Sequence, residues 1–166
     1  MDYYQGVVTE YLRADRSVFV NTECCIQLND GANPDASGPH WYCDAVAVDH
    51  RDKAVYLCEV SYSKELGALL KRLAAWNANW TLIKQALSRD CSLDPTWPIR
   101  AWLFIPGGCV PKAVGGINRI LKSPAAASMP APKITKLEAV APWHYPSWNR
   151  FGKNNLDVDG IPETMR

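Results

Sequence analysis

The sequence predicts a single α/β domain with a central mixed β-sheet flanked by helices, in the core order α-β-β-β-α-β. Three observations predict it. Two strongly apolar segments, WYCDAVAVD and AVYLCEVS, are separated by HRDK, which is typical of a β-hairpin. A long amphipathic segment then leads to another apolar strand, IRAWLFI, at the distance that a right-handed parallel crossover needs. The 166 residues, 48% of them hydrophobic, can bury the core of one such domain.

The elements before the hairpin are a helix and a strand. In DYYQGVVTEYLRA, the apolar residues from Tyr4 to Leu12 recur at helical spacing. The following SVFVNTECCIQL is rich in β-branched and apolar residues, which favours a strand, and it runs into the turn-forming NDGANPDASGPH. The first predicted strand is therefore joined to the hairpin by a long loop.

The elements after the hairpin begin with the clearest helix in the chain, SKELGALLKRLAAWNANWTLIKQALSR. Its apolar stripe runs from Leu66 to Leu87 and includes Trp76 and Trp80, which we expect in the core, and Ser61 or Ser63 is the expected N-cap. After IRAWLFI, we expect a shorter helix in PKAVGGINRILK and a last strand in KITKLEAVA. The domain is predicted over residues 1–140. Residues 141–166 form a tail, packed on the domain or extending from it, with too many Pro, Gly and Asn for regular structure.

Composition narrows the class of protein. No apolar run approaches the roughly 20 residues of a membrane span, and the N-terminus lacks a basic and then apolar signal, so we expect a cytoplasmic protein with no membrane partner. The six cysteines lack the paired two-residue spacing of zinc sites. Reduced structural thiols are the expected state.

The net charge of +1 conceals a segregation of charge along the chain. Residues 1–63 carry 4 basic and 10 acidic side chains, residues 64–153 carry 13 and 4, and residues 154–166 carry 1 and 3. The three net charges are therefore −6, +9 and −2. Such segregation is either chance surface patterning or the mark of a charged partner.

Glu59 lies in the middle of the apolar strand AVYLCEVS and requires an explanation. Strand alternation places it on one face with Val55, Leu57 and Ser61. A carboxylate buried there has to be paired, protonated or bound to metal, because an unpaired buried charge costs several kcal/mol. Asp44 opens the run DAVAV on the preceding strand and can approach Glu59 across the hairpin. Two neighbouring carboxylates with oxygen-only ligation suit Mg²⁺ or Mn²⁺.

This arrangement resembles the PD-(D/E)XK nuclease superfamily, whose fold is restriction-endonuclease-like. The resemblance covers about residues 4–106 and rests on the element order, on Asp44 in WYCDAVAVD and on Glu59 in LCEVS. In that family an acidic residue of the first helix often joins the metal site, and Glu10 in VVTEYL matches it. The motif lysine is replaced by Ser61, and Lys64, at the start of the long helix, is the candidate to supply the missing charge.

The resemblance implies a metal-dependent nuclease that hydrolyses phosphodiester bonds, of DNA more than of RNA. Its implied metal ligands are Glu10, Asp44, Glu59 and the backbone carbonyl of Val60, and its implied catalytic residues are Asp44, Glu59, Ser61 and Lys64. Such a nuclease binds nucleic acid and can work as a homodimer or beside a partner subunit. In the tail, Trp143, Tyr145 and Trp148, beside Arg150 and Lys153, could stack on unpaired bases.

Simpler interpretations remain open at this stage. Glu59 can be a strand-end residue paired with Lys64 or Arg72, Asp44 can accept backbone N–H bonds, and Glu10 can be a solvated helix residue. With serine at the lysine position, the alternative is a catalytically inactive restriction-endonuclease-like module that binds nucleic acid or protein. A structural or inhibitory partner protein whose aromatic tail docks another chain is a third possibility.

Overall fold

The computed structural model describes residues 2–29, 39–123 and 129–140, and the backbone of residues 155–156. These residues form four α-helices and one six-stranded sheet. The helices are α1 (Tyr3–Arg13), α2 (Gly67–Ala78), α3 (Trp80–Asp90) and α4 (Val110–Leu121). The strands are β1 (Val18–Gln27), β2 (His40–Asp49), β3 (Ala54–Val60), β4 (Ile99–Ile105), β5 (Lys133–Lys136) and β6 (Asn155–Leu156).

The strands lie in the sheet in their chain order. β2 pairs antiparallel with both β1 and β3, whereas β4 pairs parallel with β3 and β5. The hairpin between β2 and β3 and the parallel crossover from β3 to β4 are therefore confirmed, and so is the α/β class with a mixed sheet. β5 pairs antiparallel with β6, so the described part of the tail joins the sheet.

Helices cover both faces of the sheet. On one face, α2, α3 and α4 enclose the larger core, which contains Leu57 of β3 and the buried Trp76 and Trp80. On the other face, α1 packs Val8 and Leu12 against a smaller cluster that contains Cys58. The adjacent residues Leu57 and Cys58 thus point to opposite cores, as the predicted alternation along β3 requires.

The long predicted helix is two helices, and the prediction of a single one was wrong. Asn79 leaves the helical region at φ −119° and separates α2 from α3, and its side-chain amide donates to the Ala75 carbonyl at 2.9 Å. Asparagine side chains compete in this way for helical backbone groups, which favours a break. The predicted serine cap was also wrong, because α2 begins after Leu66, which has φ 53° and makes no side-chain capping bond.

The last predicted strand is shorter than the apolar pattern of KITKLEAVA suggested. β5 ends at Lys136, and Leu137–Val140 form a 3₁₀ helix that packs against α1. The predicted loop at residues 30–38 and most of the tail, including Trp143, Tyr145 and Trp148, lie outside the described residues. All six cysteines are free, and four of them are buried. Within the described ranges, none of the helices is long and apolar enough to cross a membrane.

Candidate functional site

The candidate site lies where β2 separates from β3. The β2–β3 ladder ends at the pair Ala45 and Cys58, while β3 continues its pairing with β4 through Val60. The Val60 N–H donates to Asp44 Oδ2 at 2.7 Å. Since a buried N–H needs an acceptor, the Asp44 carboxylate takes the place of the missing β2 backbone at this point.

The Asp44 position coincides with a change of face in β1 and β2. Cys43 belongs to the core under α2 and α3, whereas Ala45 belongs to the core under α1. In a regular strand these two residues would share a face. Glu23, which would pair with Asp44, has φ 53° and is absent from the β1–β2 register. The pairs Thr22↔Ala45 and Cys24↔Cys43 keep one register, so neither strand has an extra residue; the ladder is distorted locally at Glu23 and Asp44, and this distortion redirects the Asp44 side chain.

Glu59 is almost completely buried, with 3% of its surface exposed. Arg72 on α2 donates from Nη1 to Glu59 Oε2 at 2.5 Å. Glu59 Oε1 is also buried, and it accepts no hydrogen bond from the described part of the chain. Burial, together with the smaller effect of the nearby Asp44, raises the pKa of Glu59 to about 7, against the lowering effect of Arg72.

Asp44 is held from two sides. Besides the Val60 N–H, the side-chain amide of Gln5 on α1 donates to Asp44 Oδ1 at 2.6 Å. Burial raises the pKa of Asp44 above its ordinary value, although the hydrogen bonds from Val60 and Gln5 lower it. Gln5 also closes the capping box of α1 with Asp2, so the helix start and the site share one residue.

The two carboxylates open into one small pocket of about 160 Å³, which we call the acidic pocket. Its lining residues are Asp44, Glu59, Val60, Ser61, Ala68, Leu69 and Arg72. Ala68, Leu69 and Arg72 come from the first turns of α2, where residues three and four apart share a helix face. The structure therefore brings Asp44, Glu59, Val60 and Ser61 together, as the sequence predicted.

Two predicted site residues lie outside the acidic pocket. Glu10 is exposed on α1 and pairs with Arg13 at 3.4 Å. Lys64 is exposed in the loop before α2, where its backbone carbonyl accepts a hydrogen bond from Lys112 at 3.2 Å. The side chain that reaches Glu59 is that of Arg72, one of the two ion-pair partners that the sequence left open. The helix residue that reaches Asp44 is Gln5.

Gln5 was missed as a site residue, and Arg72 was considered only as a simple ion-pair partner of Glu59, because neither is part of an acidic or lysine motif. For Arg72, the one signal in the sequence is its position on the helix that follows Glu59. It lies one helical turn after Ala68, so the two residues share a helix face. Gln5 offers no comparable signal, since its contact with Asp44 spans 39 residues and depends on how α1 packs on the sheet.

The oxygen atoms of the acidic pocket fit the ligand preferences of a divalent cation in part. Glu59 Oε1 is a buried oxygen with no hydrogen-bond donor among the described residues, beside a second carboxylate, and such an oxygen suits Mg²⁺ or Mn²⁺. The other three carboxylate oxygens accept from Gln5, Val60 and Arg72. Asp44, Glu59 and the Val60 carbonyl would hold the ion, with waters completing its sphere, because no group of three or more His, Cys, Asp or Glu ligands occurs in the described ranges.

Comparison of the chain with protein-family models, with curated proteins and with solved structures finds no match, so its fold and site are known from its own residues.

Proposed function

We propose that the chain is a metal-dependent nuclease that hydrolyses phosphodiester bonds, of DNA more than of RNA. The observation that carries the proposal is Glu59 Oε1, a buried carboxylate oxygen without a donor in the described residues, in one pocket with Asp44. Such an oxygen has to be protonated or neutralised by a cation. The order α-β-β-β-α-α-β from α1 to β4 and the positions of both acids on β2 and β3 support the same proposal.

Each pocket residue has a role in this proposal. Asp44 and Glu59 would hold the ion, which would supply Lewis-acid activation of water and of a phosphate. Arg72 orients Glu59 and supplies positive charge to the pocket, which is the charge that Ser61 does not carry. Gln5 and the Val60 N–H fix the orientation of Asp44. Ser61 offers a hydroxyl at the pocket wall to a substrate oxygen.

A cleavage assay tests the proposal. Plasmid and labelled single-stranded DNA are incubated with the purified chain in Mg²⁺, in Mn²⁺ and in EDTA. We expect metal-dependent cleavage that Asp44→Asn and Glu59→Gln each reduce by at least about 100-fold. Glu10→Gln is the matched control, since it removes the same charge from a carboxylate outside the pocket. Cleavage that persists in both pocket variants would disprove the metal site.

Two further variants identify the cation that assists the reaction. Arg72→Ala removes the guanidinium that contacts Glu59, and Lys64→Ala removes the ammonium that the sequence suggested. Loss of cleavage in Arg72→Ala alone assigns the role to Arg72. Loss in Lys64→Ala alone assigns it to Lys64, whose side chain would then have to move toward the pocket.

A specific observation also favours the inactive module as a second candidate. Three of the four oxygens of Asp44 and Glu59 already have donors in the protein, and Arg72 already provides a positive charge beside Glu59. A pocket satisfied in this way can persist without an ion. Absence of cleavage together with salt-sensitive DNA binding would favour this candidate. Absence of both would favour a partner protein.

A further inference from the structure

Three tyrosines form an exposed aromatic group, which we call the tyrosine cluster: Tyr3, Tyr4 and Tyr62. The Tyr4 and Tyr62 rings are stacked, with centroids 5.0 Å apart and planes at 28°. Tyr3 meets Tyr4 edge-on at 5.4 Å. Their exposed fractions are 78% for Tyr3, 40% for Tyr4 and 58% for Tyr62. The cluster therefore presents aromatic surface to solvent in a fixed arrangement.

Both chain segments of the tyrosine cluster are adjacent in sequence to residues that contact or line the acidic pocket. Tyr4 directly precedes Gln5, whose side-chain amide is bonded to Asp44. Tyr62 directly follows Ser61, which lines the pocket. Because three residues span at most about 11 Å of chain, the Tyr62 Cα lies within that distance of the Glu59 Cα.

Packing of α1 against the end of β3 does not account for this cluster. Aromatic residues that serve only to join two elements gain most by burying their rings. Here the rings remain largely exposed, and the cluster supplies half of the exposed large hydrophobic side chains among the described residues. Contiguous exposed apolar surface beside a polar pocket is typical of a binding site.

We propose that the tyrosine cluster stacks on an unpaired nucleobase next to the phosphate that a cation at Asp44 and Glu59 would contact, so that the chain prefers single-stranded to duplex DNA. This inference rests on the proposed function. Aromatic rings stack on any base whose face is free, and the bases of a duplex are already stacked on one another. We therefore expect the pocket to bind a nucleic-acid strand whose bases are unpaired.

The test measures binding separately from cleavage. The probes are a fluorescein-labelled single-stranded phosphorothioate oligothymidylate, which resists hydrolysis, and a phosphorothioate duplex of equal length, both titrated in Mg²⁺ and followed by anisotropy. We expect tighter binding of the single strand. Tyr62→Ala and Tyr4→Ala should each weaken single-strand binding about tenfold and change duplex binding less than twofold, on the order expected for one lost stacking contact.

Two controls separate stacking from folding. Tyr62→Phe keeps the ring and should bind the single strand within about twofold of wild type. Phe19→Ala removes another exposed ring, which packs edge-on against His50 at the hairpin end of the sheet, and should leave binding unchanged. Thermal melting of each variant confirms that it is folded.

Each outcome decides between the two proposals. Equal single-strand affinity in wild type and a folded Tyr62→Ala overturns the stacking role, even when metal-dependent cleavage is observed. Tyrosine-dependent single-strand binding without cleavage supports the stacking role and overturns the nuclease. A change of oligomeric state in Tyr62→Ala, with unchanged DNA binding, would show that a second copy of the chain occupies the cluster and would also overturn the stacking role.

Discussion

Glu59 is a buried carboxylate whose two oxygens are in different environments. Oε2 accepts from Arg72, while Oε1 has no donor in the described structure. Removing such a carboxylate from water raises the free energy of its charged form, which is why burial raises its pKa to about 7. Near neutral pH the residue therefore exchanges a proton readily, or exchanges that proton for a cation.

The raised pKa predicts how stability depends on pH. The pKa of Glu59 rises on folding from 4.5 to about 7, so the protonated form is favoured in the folded state, and its contribution is lost as pH rises through about 7. We expect the free energy of unfolding of metal-free wild type to fall by about 2–3 kcal/mol between roughly pH 5 and pH 8 through this group. Denaturant unfolding at several pH values measures the change.

The matched variants for this measurement are Glu59→Gln and Glu10→Gln. The glutamine at position 59 does not titrate, so most of the decline should disappear in that variant. The exposed Glu10 lies outside the pocket, and its replacement should leave the decline in place. A decline in Glu59→Gln as steep as that of wild type would show that other groups cause it.

At the residue level, the sequence identified the two acidic residues of the pocket better than the residues that donate hydrogen bonds to them. A carboxylate in an apolar strand is conspicuous, and Asp44 and Glu59 were both identified in this way. Arg72 was one of two possible partners of Glu59, and Gln5 was not identified at all, because both contacts depend on where α1 and α2 pack relative to the sheet. Glu10 was proposed as a ligand although it lies five residues beyond Gln5, on the exposed side of α1.

At the level of elements, local irregularities shape the site. The face change at Asp44 and the helix break at Asn79 both interrupt segments whose hydrophobic pattern looks regular. The sequence patterns of these segments predicted the helix and the strand pairing, but they did not predict where the helix breaks or where the strand changes face. Apolar residues flank Asp44 on both sides, so the hydrophobic pattern does not show which face of the sheet each of these residues points to.

The packing of α2 against α4 gives a prediction at this scale. A Cβ added at Gly116 would lie 2.6 Å and 2.8 Å from the two terminal methyl carbons of Leu70, whereas a Cβ at Gly115 would meet nothing within 4 Å. Gly115→Ala should therefore stabilise the protein by about 0.5–1 kcal/mol, through helix propensity alone. Gly116→Ala gains the same propensity but crowds Leu70, so it should be less stable than Gly115→Ala by about 1–2 kcal/mol.

Thermal or denaturant unfolding of the two glycine variants checks this difference. The double variant Leu70→Ala/Gly116→Ala removes the crowding, and the cost of Gly116→Ala should be smaller when measured against Leu70→Ala alone. Equal stability of Gly115→Ala and Gly116→Ala would mean that Leu70 moves aside freely into the neighbouring cavity of about 420 Å³.

At the level of the whole molecule, the sequence predicted the class and connectivity of the sheet. Hairpin spacing and the length of the crossover are constraints that few other topologies satisfy, so the antiparallel β2–β3 pair and the parallel β3–β4 pair followed from them. The sixth strand was not predicted, because β6 has only two residues in a segment rich in Pro, Gly and Asn. Both pocket acids come from the acidic first third of the chain, whereas Arg72 comes from the basic segment that follows.

The whole fold should respond to a cation bound at the pocket. An ion that binds only the folded state stabilises it in proportion to the logarithm of its concentration. Because Glu59 titrates near neutral pH, binding at pH 7 should also release protons. Both effects should be absent when either pocket carboxylate is replaced by its amide.

Calorimetric titration of the protein with Mn²⁺ tests the central claim most directly. We predict saturable binding to wild type and to Glu10→Gln, with proton release that is detected by repeating the titration in buffers of different ionisation enthalpy. Asp44→Asn and Glu59→Gln should each lose the binding while still melting cooperatively. Absence of binding to wild type, or unchanged binding in both pocket variants, would contradict the claim that Asp44 and Glu59 together hold a divalent cation.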